Sequence, residues 1–287
     1  MEIILICPFK NEVSINSSFE ILKLLLKKKI SVSVDKDLFK KIKNIEQNIE
    51  INLYDDLNLS ADFIFCIGGD GSMLKAVSFL KQNQIPILGI NIGRIGFLTG
   101  IQKEKLEIGI DSLKSKNYSL VKRDLLTLNF NSKVDLEFPY ALNEITVSRK
   151  NTASLISIET TIDKIKLSKY WADGLIIATP TGSTGYNLSC GGPIMLPETP
   201  SIVITPIAAH NLNVRPLVVP NESIIELKVD GQGTGTEHFL TLDSKLISLP
   251  YKTKIIISKA SFSVKTVQFQ KNEFYNDLSE KLFWGLD

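Results

Sequence analysis

One aspartate stands where chemistry is easiest to perform. In Ile64-Phe65-Cys66-Ile67-Gly68-Gly69-Asp70-Gly71-Ser72-Met73-Leu74 a buried-strand pattern runs into three glycines around one acid and then into a helix. Glycines let a backbone approach phosphates closely, N–H groups at a helix N-terminus favour anions, and open α/β sheets bind ligands at the carboxyl ends of their strands. Gly68, Gly69, Gly71 and Ser72 are therefore candidates to cradle phosphates, and Asp70 is placed for proton transfer. A tight strand-to-helix turn capped by Asp70 is the competing reading. The segment has neither the GxxxxGK order of a Walker A loop nor a GxGxxG fingerprint.

Three further segments carry unusual residues. Gly89-Ile90-Asn91-Ile92-Gly93-Arg94-Ile95-Gly96-Phe97-Leu98-Thr99 again leaves a strand through spaced glycines, which in a doubly wound sheet turns its loop toward the same crevice. Arg94 fits a solvated loop charge and a triphosphate contact equally well. Asn143-Glu144 opens a β segment that continues to Arg149. The amide donates and accepts while an ionised carboxylate only accepts, a pair suited to a base edge and a ribose diol. In isolation a turn is the simpler reading of that pair. The longest segment brackets a strand between Asp173-Gly174 and Thr179-Pro180-Thr181-Gly182-Ser183-Thr184-Gly185-Tyr186-Asn187-Leu188-Ser189-Cys190-Gly191-Gly192-Pro193. Its hydroxyls and glycines have the composition of a nucleotide cradle, with Tyr186 available for stacking.

At these four segments the sequence resembles the NAD kinase family, where they appear as a GGDG loop, an NxGxxGFL stretch, an NE motif and a DGxxxxTPTGSTxYxxSxGGP block, in this order. The similarity continues into Pro206-Ile207-Ala208-Ala209-His210-Asn211-Leu212, Arg215-Pro216 and Asp230-Gly231-Gln232, so that it spans Ile64 to Gln232. A lone GGDG also occurs in lipid kinases and phosphofructokinases; the last long block is the discriminating one. The resemblance implies transfer of the γ-phosphoryl of ATP to the adenosine-ribose 2′-hydroxyl of NAD, giving NADP, with Asp70 as general base. It makes Asp70, Gly71, Phe97, Asn143, Glu144, Asp173, Thr184, Gly185, Tyr186 and Ser189 candidates for the NAD site. By residue type, Asn143 and Thr184 suit the adenine edge, and Glu144 and Asp173 suit donors at the nicotinamide end. Mg²⁺ is expected to arrive with ATP and to be held chiefly by the triphosphate, since no carboxylate cluster has the spacing of a metal cage. A homodimer or homotetramer is expected on the same ground. Ser72 stands where the family usually has Thr, and Gly100 where an acid is common. His210 and Arg215 match family positions without a clear role.

These loops need a scaffold, and the pattern supplies one. Up to about residue 100, short apolar runs alternate with helical spacing: strands at Ile3 to Cys7, Ile30 to Val34, Asp62 to Ile67 and Ile85 to Ile90, helices around Phe19 to Leu26, Leu38 to Ile45 and Ser72 to Leu80. That alternation predicts a doubly wound, Rossmann-like α/β domain over residues 1–100. Beyond it only Glu104 to Lys114 looks helical, and short β-branched runs such as Leu125 to Phe130, Leu155 to Thr161 and Ile255 to Ser258 predict a β-rich region over 101–264, which the family resemblance makes an all-β, sandwich-like NAD-binding domain. The tail 265–287 regains helical character and is expected to pack back on the first domain.

Composition limits the alternatives. The 287 residues carry 33 Lys and Arg against 31 Asp and Glu, which gives no strong field to attract nucleic acid or membrane. No apolar run is long enough to span a bilayer, and the start lacks a basic n-region, so a cytoplasmic protein is expected. Cys7, Cys66 and Cys190 are odd in number and far apart, which fits small buried thiols better than disulfides or zinc. Ser183 lacks a GxSxG setting, which argues against a serine hydrolase. A lipid kinase with the same GGDG loop and a non-catalytic dinucleotide sensor remain the rivals.

Overall fold

Continuous apolar runs become strands and 3.6-residue periodicity becomes the helices between them. β1 (Glu2–Ile6), α1 (Glu12–Lys27), β2 (Ser31–Val34), α2 (Lys36–Ile45), β3 (Asn52–Leu53), β4 (Phe63–Ile67), α3 (Asp70–Leu80), β5 (Ile87–Asn91), β6 (Ile101–Gln102) and α4 (Leu106–Lys114) follow one another. This computed structural model describes residues 1–49, 51–54, 60–93, 96–131, 136–151, 154–231, 236–270 and 273–282. Every residue of β4 and β5 is buried, as parallel strands with both faces covered must be. The sheet runs β5-β4-β1-β2-β3 with all neighbours parallel. Strand order therefore reverses between β1 and β4, the position at which doubly wound sheets open a ligand crevice. Asn11 caps α1 through Ser14 N and Asp35 caps α2 through Asp37 N and Leu38 N, each cap contributing about 1 kcal/mol.

The chain then builds β7 (Ser119–Phe130), β8 (Tyr140–Ala141), β9 (Glu144–Arg149), β10 (Ile156–Ile162), β11 (Ile165–Ala172), β12 (Gly174–Ala178), the short α5 (Tyr186–Ser189), β13 (Ser201–Ile207), β14 (Leu217–Pro220), β15 (Ile225–Gly231), β16 (Glu237–Leu242), β17 (Lys245–Pro250) and β18 (Lys254–Gln268), and closes with α6 (Glu273–Leu282). One antiparallel sheet has the order β14-β13-β12-β9-β16-β17, and β11-β10-β15-β18 pair in antiparallel fashion in another. Inward residues of both, among them Ile145, Val147, Ile158, Leu175, Ile177, Leu227, Val229 and Leu240, form one apolar core, as in a β-sandwich. At roughly 1.5–3 kcal/mol for each fully buried aliphatic side chain, this core is the main source of that unit's stability.

Two compact units result, Met1–Lys122 with Val264–Asp287, and Arg123–Ser263. The division near residue 100 expected from the change in texture falls instead after Lys122. The reason is α4, whose Leu106, Ile110 and Leu113 enter the core of the first unit beside Leu5, Leu22 and Leu25. Strand β18 is also far longer than the Ile255 to Ser258 run suggests, reaching 15 residues. Lys28, at the end of α1, is ion-paired with Glu107 and Asp111 of α4.

Candidate active site

The acid of the first unit is held by its neighbours on the same sheet edge. Asp70 begins α3 directly after β4, so its side chain stands at the carboxyl end of a buried strand. Its Oδ2 accepts the N–H of Phe97 at 2.9 Å and its Oδ1 the N–H of Leu98 at 3.0 Å. Gly96 has to be glycine for this to happen: a Cβ there would lie 1.9 Å from Asp70 Oδ1. Gly68 is held by two constraints, a φ of +135° and a Cβ position 2.0 Å from Ser72 Oγ. Phe97 is thus joined to Asp70 through its main chain, and Ser72 is buried beneath the loop. Arg94 lies outside the described residues.

Beside this loop is an open crevice of about 460 Å³, lined by Phe9, the start of α1, Gly68, Gly69, Ser72 and residues 91–93. It sits between the carboxyl ends of β1, β4 and β5, where the strand order reverses. The N-termini of α1 and α3 both open onto it, supplying backbone N–H groups suited to an anion. Lys75 adds positive charge, 3.9 Å above the ring of Phe9. Among the described residues no three His, Cys, Asp or Glu side chains gather to hold a metal ion.

The second unit brings Asn143, Glu144 and the turn before α5 together at the start of β9, while Asp173 stands at the other end of that strand, beside Arg149. Asn143 and Glu144 lie beside the turn that leads into α5; a Cβ on Gly185 would stand 3.4 Å from Glu144 Oε2 and 3.9 Å from Asn143 Nδ2. Asn143 Oδ1 and Glu144 Oε2 are buried without a hydrogen-bond partner among the described residues. Such orphaned acceptors cost stability unless a ligand satisfies them. Burial first, and then the charge of Asp243, push the Glu144 carboxyl up to about 8. The residue read from sequence as an ionised acceptor is therefore neutral at pH 7 and carries a donor as well. Asp173 sits between β11 and β12, with its Oδ2 accepting from Arg149 at 2.9 Å. Thr184 and Gly185 precede α5, on which Tyr186 and Ser189 are exposed.

Several residues of the long hydroxyl-rich block hold its own loop. Thr179 Oγ1 donates to Leu142 O at 2.6 Å, and Ser183 Oγ donates to Pro180 O and accepts from Met195 N. The buried Asn187 bridges Ser183 O, Pro193 O and Thr205 Oγ1. Ser183 is fully buried, which removes it as a nucleophile. His210 and Arg215 are exposed, the latter capping Leu212 O and Val214 O. Asp230, matched by pattern, accepts only from the adjacent Gly231 N among the described contacts, and Gln232 lies outside the described residues. The acid that reaches the Asn143-Glu144 segment is Asp243, which the sequence reading passed over. Its signal was the two-residue Asp243-Ser244 link between two strands of alternating pattern, a hairpin turn with Asp243 at φ +49°.

The N-terminal domain of the ATP-NAD kinase family matches residues 3–118, and its C-terminal domain matches residues 142–269. The NAD kinase of Christiangramia forsetii is 47% identical over 274 residues, covering 93% of this chain and 92% of that protein. The crystal structure of an NAD kinase from Archaeoglobus fulgidus in complex with ATP is 26% identical, with a TM-score of 0.74 over 99% of each chain. That of yeast NADH kinase complexed with NADH, 23% identical, shares the fold with a TM-score of 0.89 over 100% of this chain and 88% of that one. The chain is an enzyme of the phosphotransferase class. It belongs to the ATP-NAD kinase family.

Proposed function

We propose that this protein transfers the γ-phosphoryl group of ATP to the adenosine-ribose 2′-hydroxyl of NAD, with Asp70 as general base. The observation that carries the proposal is the Asp70 carboxylate, fixed by the Phe97 and Leu98 amides at the carboxyl end of β4 beside a glycine-lined crevice. Each oxygen of that carboxylate accepts one N–H and keeps a lone pair, so Asp70 is oriented and still able to take a proton. Phosphoryl transfer asks mainly for alignment and charge stabilisation, because its transition state is loose. Gly68, Gly69, Gly71 and Ser72, with the amides of α1 and α3, bind the phosphates; Arg94 is assigned to the same task. Mg²⁺ brought with ATP would be held chiefly by the triphosphate and would supply neutralisation of its charge.

Gly71, Phe97, Asn143, Glu144, Asp173, Thr184, Gly185, Tyr186 and Ser189 are the residues assigned to NAD. The buried, unpartnered oxygens of Asn143 and Glu144 support this assignment, since a dinucleotide supplies the hydroxyl and amide groups they lack. Family membership supports a homodimer or homotetramer working in the cytoplasm. The test mixes purified protein with NAD and Mg·ATP, reads NADP through an NADP-specific dehydrogenase, and runs Asp70→Asn alongside. NADP formed by the wild type and reduced roughly 10²- to 10⁴-fold in the variant is the expected result. Near-normal turnover by Asp70→Asn would remove Asp70 from this role, and phosphorylation of a lipid in place of NAD would replace the substrate.

A further inference from the structure

The main chain of the Asn143-Glu144 segment is almost entirely spoken for by one residue 100 positions away. Asp243 Oδ2 accepts the N–H of Leu142 at 2.9 Å, while Oδ1 accepts those of Asn143 at 2.8 Å and Glu144 at 3.2 Å. The N–H of Asp243 returns a bond to Glu144 O at 3.0 Å, and Thr179 N closes on Asn143 O at 2.9 Å. What this leaves free are side-chain atoms, Asn143 Oδ1 and Glu144 Oε2, both buried and unpartnered. We propose that Asp243 is a positioning residue for dinucleotide recognition: its carboxylate fixes the backbone of Asn143 and Glu144 so that their free oxygens meet the hydroxyl and amide groups of NAD. This rests on the reading of Asn143 and Glu144 as NAD-binding residues.

The arrangement is costly for a residue that served only to close a hairpin. Burial raises the Asp243 carboxyl, and the three amide donors work against that rise by favouring its charged form. A neutral turn residue would close the β16–β17 link without placing a buried acid beside a second one. The titratable groups facing Glu144 are Asp243, from that link, and Tyr186, from α5. Neither is a cation, so neither offsets the rise that burial, and after it Asp243, imposes on the Glu144 carboxyl. Asp243 thereby fixes the place of Glu144 and adds to the rise of its carboxyl, of which burial is the larger cause.

The experiment measures the KM for NAD of the full chain at saturating Mg·ATP from about pH 6.5 to about pH 9, spanning the Glu144 transition. In the wild type the KM is expected to change with an inflection near pH 8, where Glu144 ionises. Asp243→Asn removes the charge and one acceptor; the KM for NAD should rise about tenfold at neutral pH, the KM for ATP stay within about twofold, and the inflection move to lower pH. Asp243→Glu keeps the charge but is one methylene too long, so the KM should rise while the inflection stays. A folded variant of either kind with the wild-type KM for NAD overturns the proposal, as does an equal rise in the requirements for NAD and ATP. If Asp243→Asn fails to fold, Asp243→Glu decides by the same criterion; insolubility of both would make Asp243 a folding residue and overturn the positioning role. A wild type that makes no NADP refutes the functional reading itself, and with it this inference, without any substitution being involved.

Discussion

The ammonium of Lys281 donates to the carbonyl oxygen of Gly96, 185 positions earlier in the chain. The same group pairs with Asp277 at 2.7 Å and lies 5.0 Å from the centroid of Phe97, whose ring in turn meets Phe274 at 6.1 Å. Helix α6 thus grips the turn whose next two amides hold Asp70. A small shift in that turn misaligns the Asp70 carboxylate proposed as the base, and misplacements of this order cost up to about a hundredfold in rate. Lys281→Met is expected to lower kcat about tenfold while changing the KM for NAD less than about twofold. Steady-state kinetics will show it, and an unaltered kcat would leave α6 without this supporting role.

Gly96 is the second place where the turn meets the acid. A methyl group 1.9 Å from Asp70 Oδ1 cannot be accommodated without moving the carboxylate or the turn. Gly96→Ala should therefore reduce kcat roughly a hundredfold, approaching Asp70→Asn, at a stability cost of about 1–3 kcal/mol for the overpacking. Turnover and urea unfolding measured on the same preparation separate the two effects. A variant with intact turnover would mean that the turn yields and the carboxylate does not.

The sequence made the βα alternation, Asp70 and the Asn143-Glu144 pair legible because each rests on local signals: periodicity, glycine spacing and residue type. Lys281 and Asp243 were hidden because their work is done across 185 and about 100 positions, and no local pattern encodes such a contact. The boundary after Lys122 was hidden for the same kind of reason. A helix reads alike whichever core it enters, and only packing assigns α4 to the first unit. The protonation of Glu144 was also out of reach, since residue type gives an ordinary carboxylate and only burial beside Asp243 turns it into a neutral acid. Hydroxyls of the long block were read as part of a cradle, yet Thr179 and Ser183 prove to be internal braces of it.

Neutral Glu144 changes what an amide substitution should do. Below about pH 8 the carboxyl presents one donor and one acceptor, which Gln reproduces. Above it, the ionised group adds a buried negative charge beside Asp243 and, on the proposed assignment, faces a ligand that is itself an anion. Glu144→Gln should leave the KM for NAD within about threefold at pH 7, abolish the inflection, and bind NAD more tightly than the wild type at pH 9. Initial-rate measurements at the two pH values decide it. A wild-type KM that improves on the alkaline side would show that NAD prefers the ionised acid.

His238 gives a prediction about stability that is independent of catalysis. Its ring is fully buried, stacked on Tyr251 at 5.9 Å with 9° between the planes, and neither nitrogen has a hydrogen-bond partner among the described residues. Burial lowers its pKa to about 4 against an ordinary value of 6.5, with the nearby Glu237 opposing the shift. The unfolded chain therefore binds a proton below pH 6.5 that the folded chain refuses until near pH 4. Stability is intact above the unfolded value and drains away as pH falls through that window, by about 2 kcal/mol at pH 5 and about 3 kcal/mol at its lower end. His238→Phe keeps the stack and has nothing to protonate, so its unfolding free energy should fall less than that of the wild type between pH 7.5 and pH 5. Urea melts at those two pH values test this directly: parallel losses in both proteins would mean that the folded state accepts the proton on His238 at no cost.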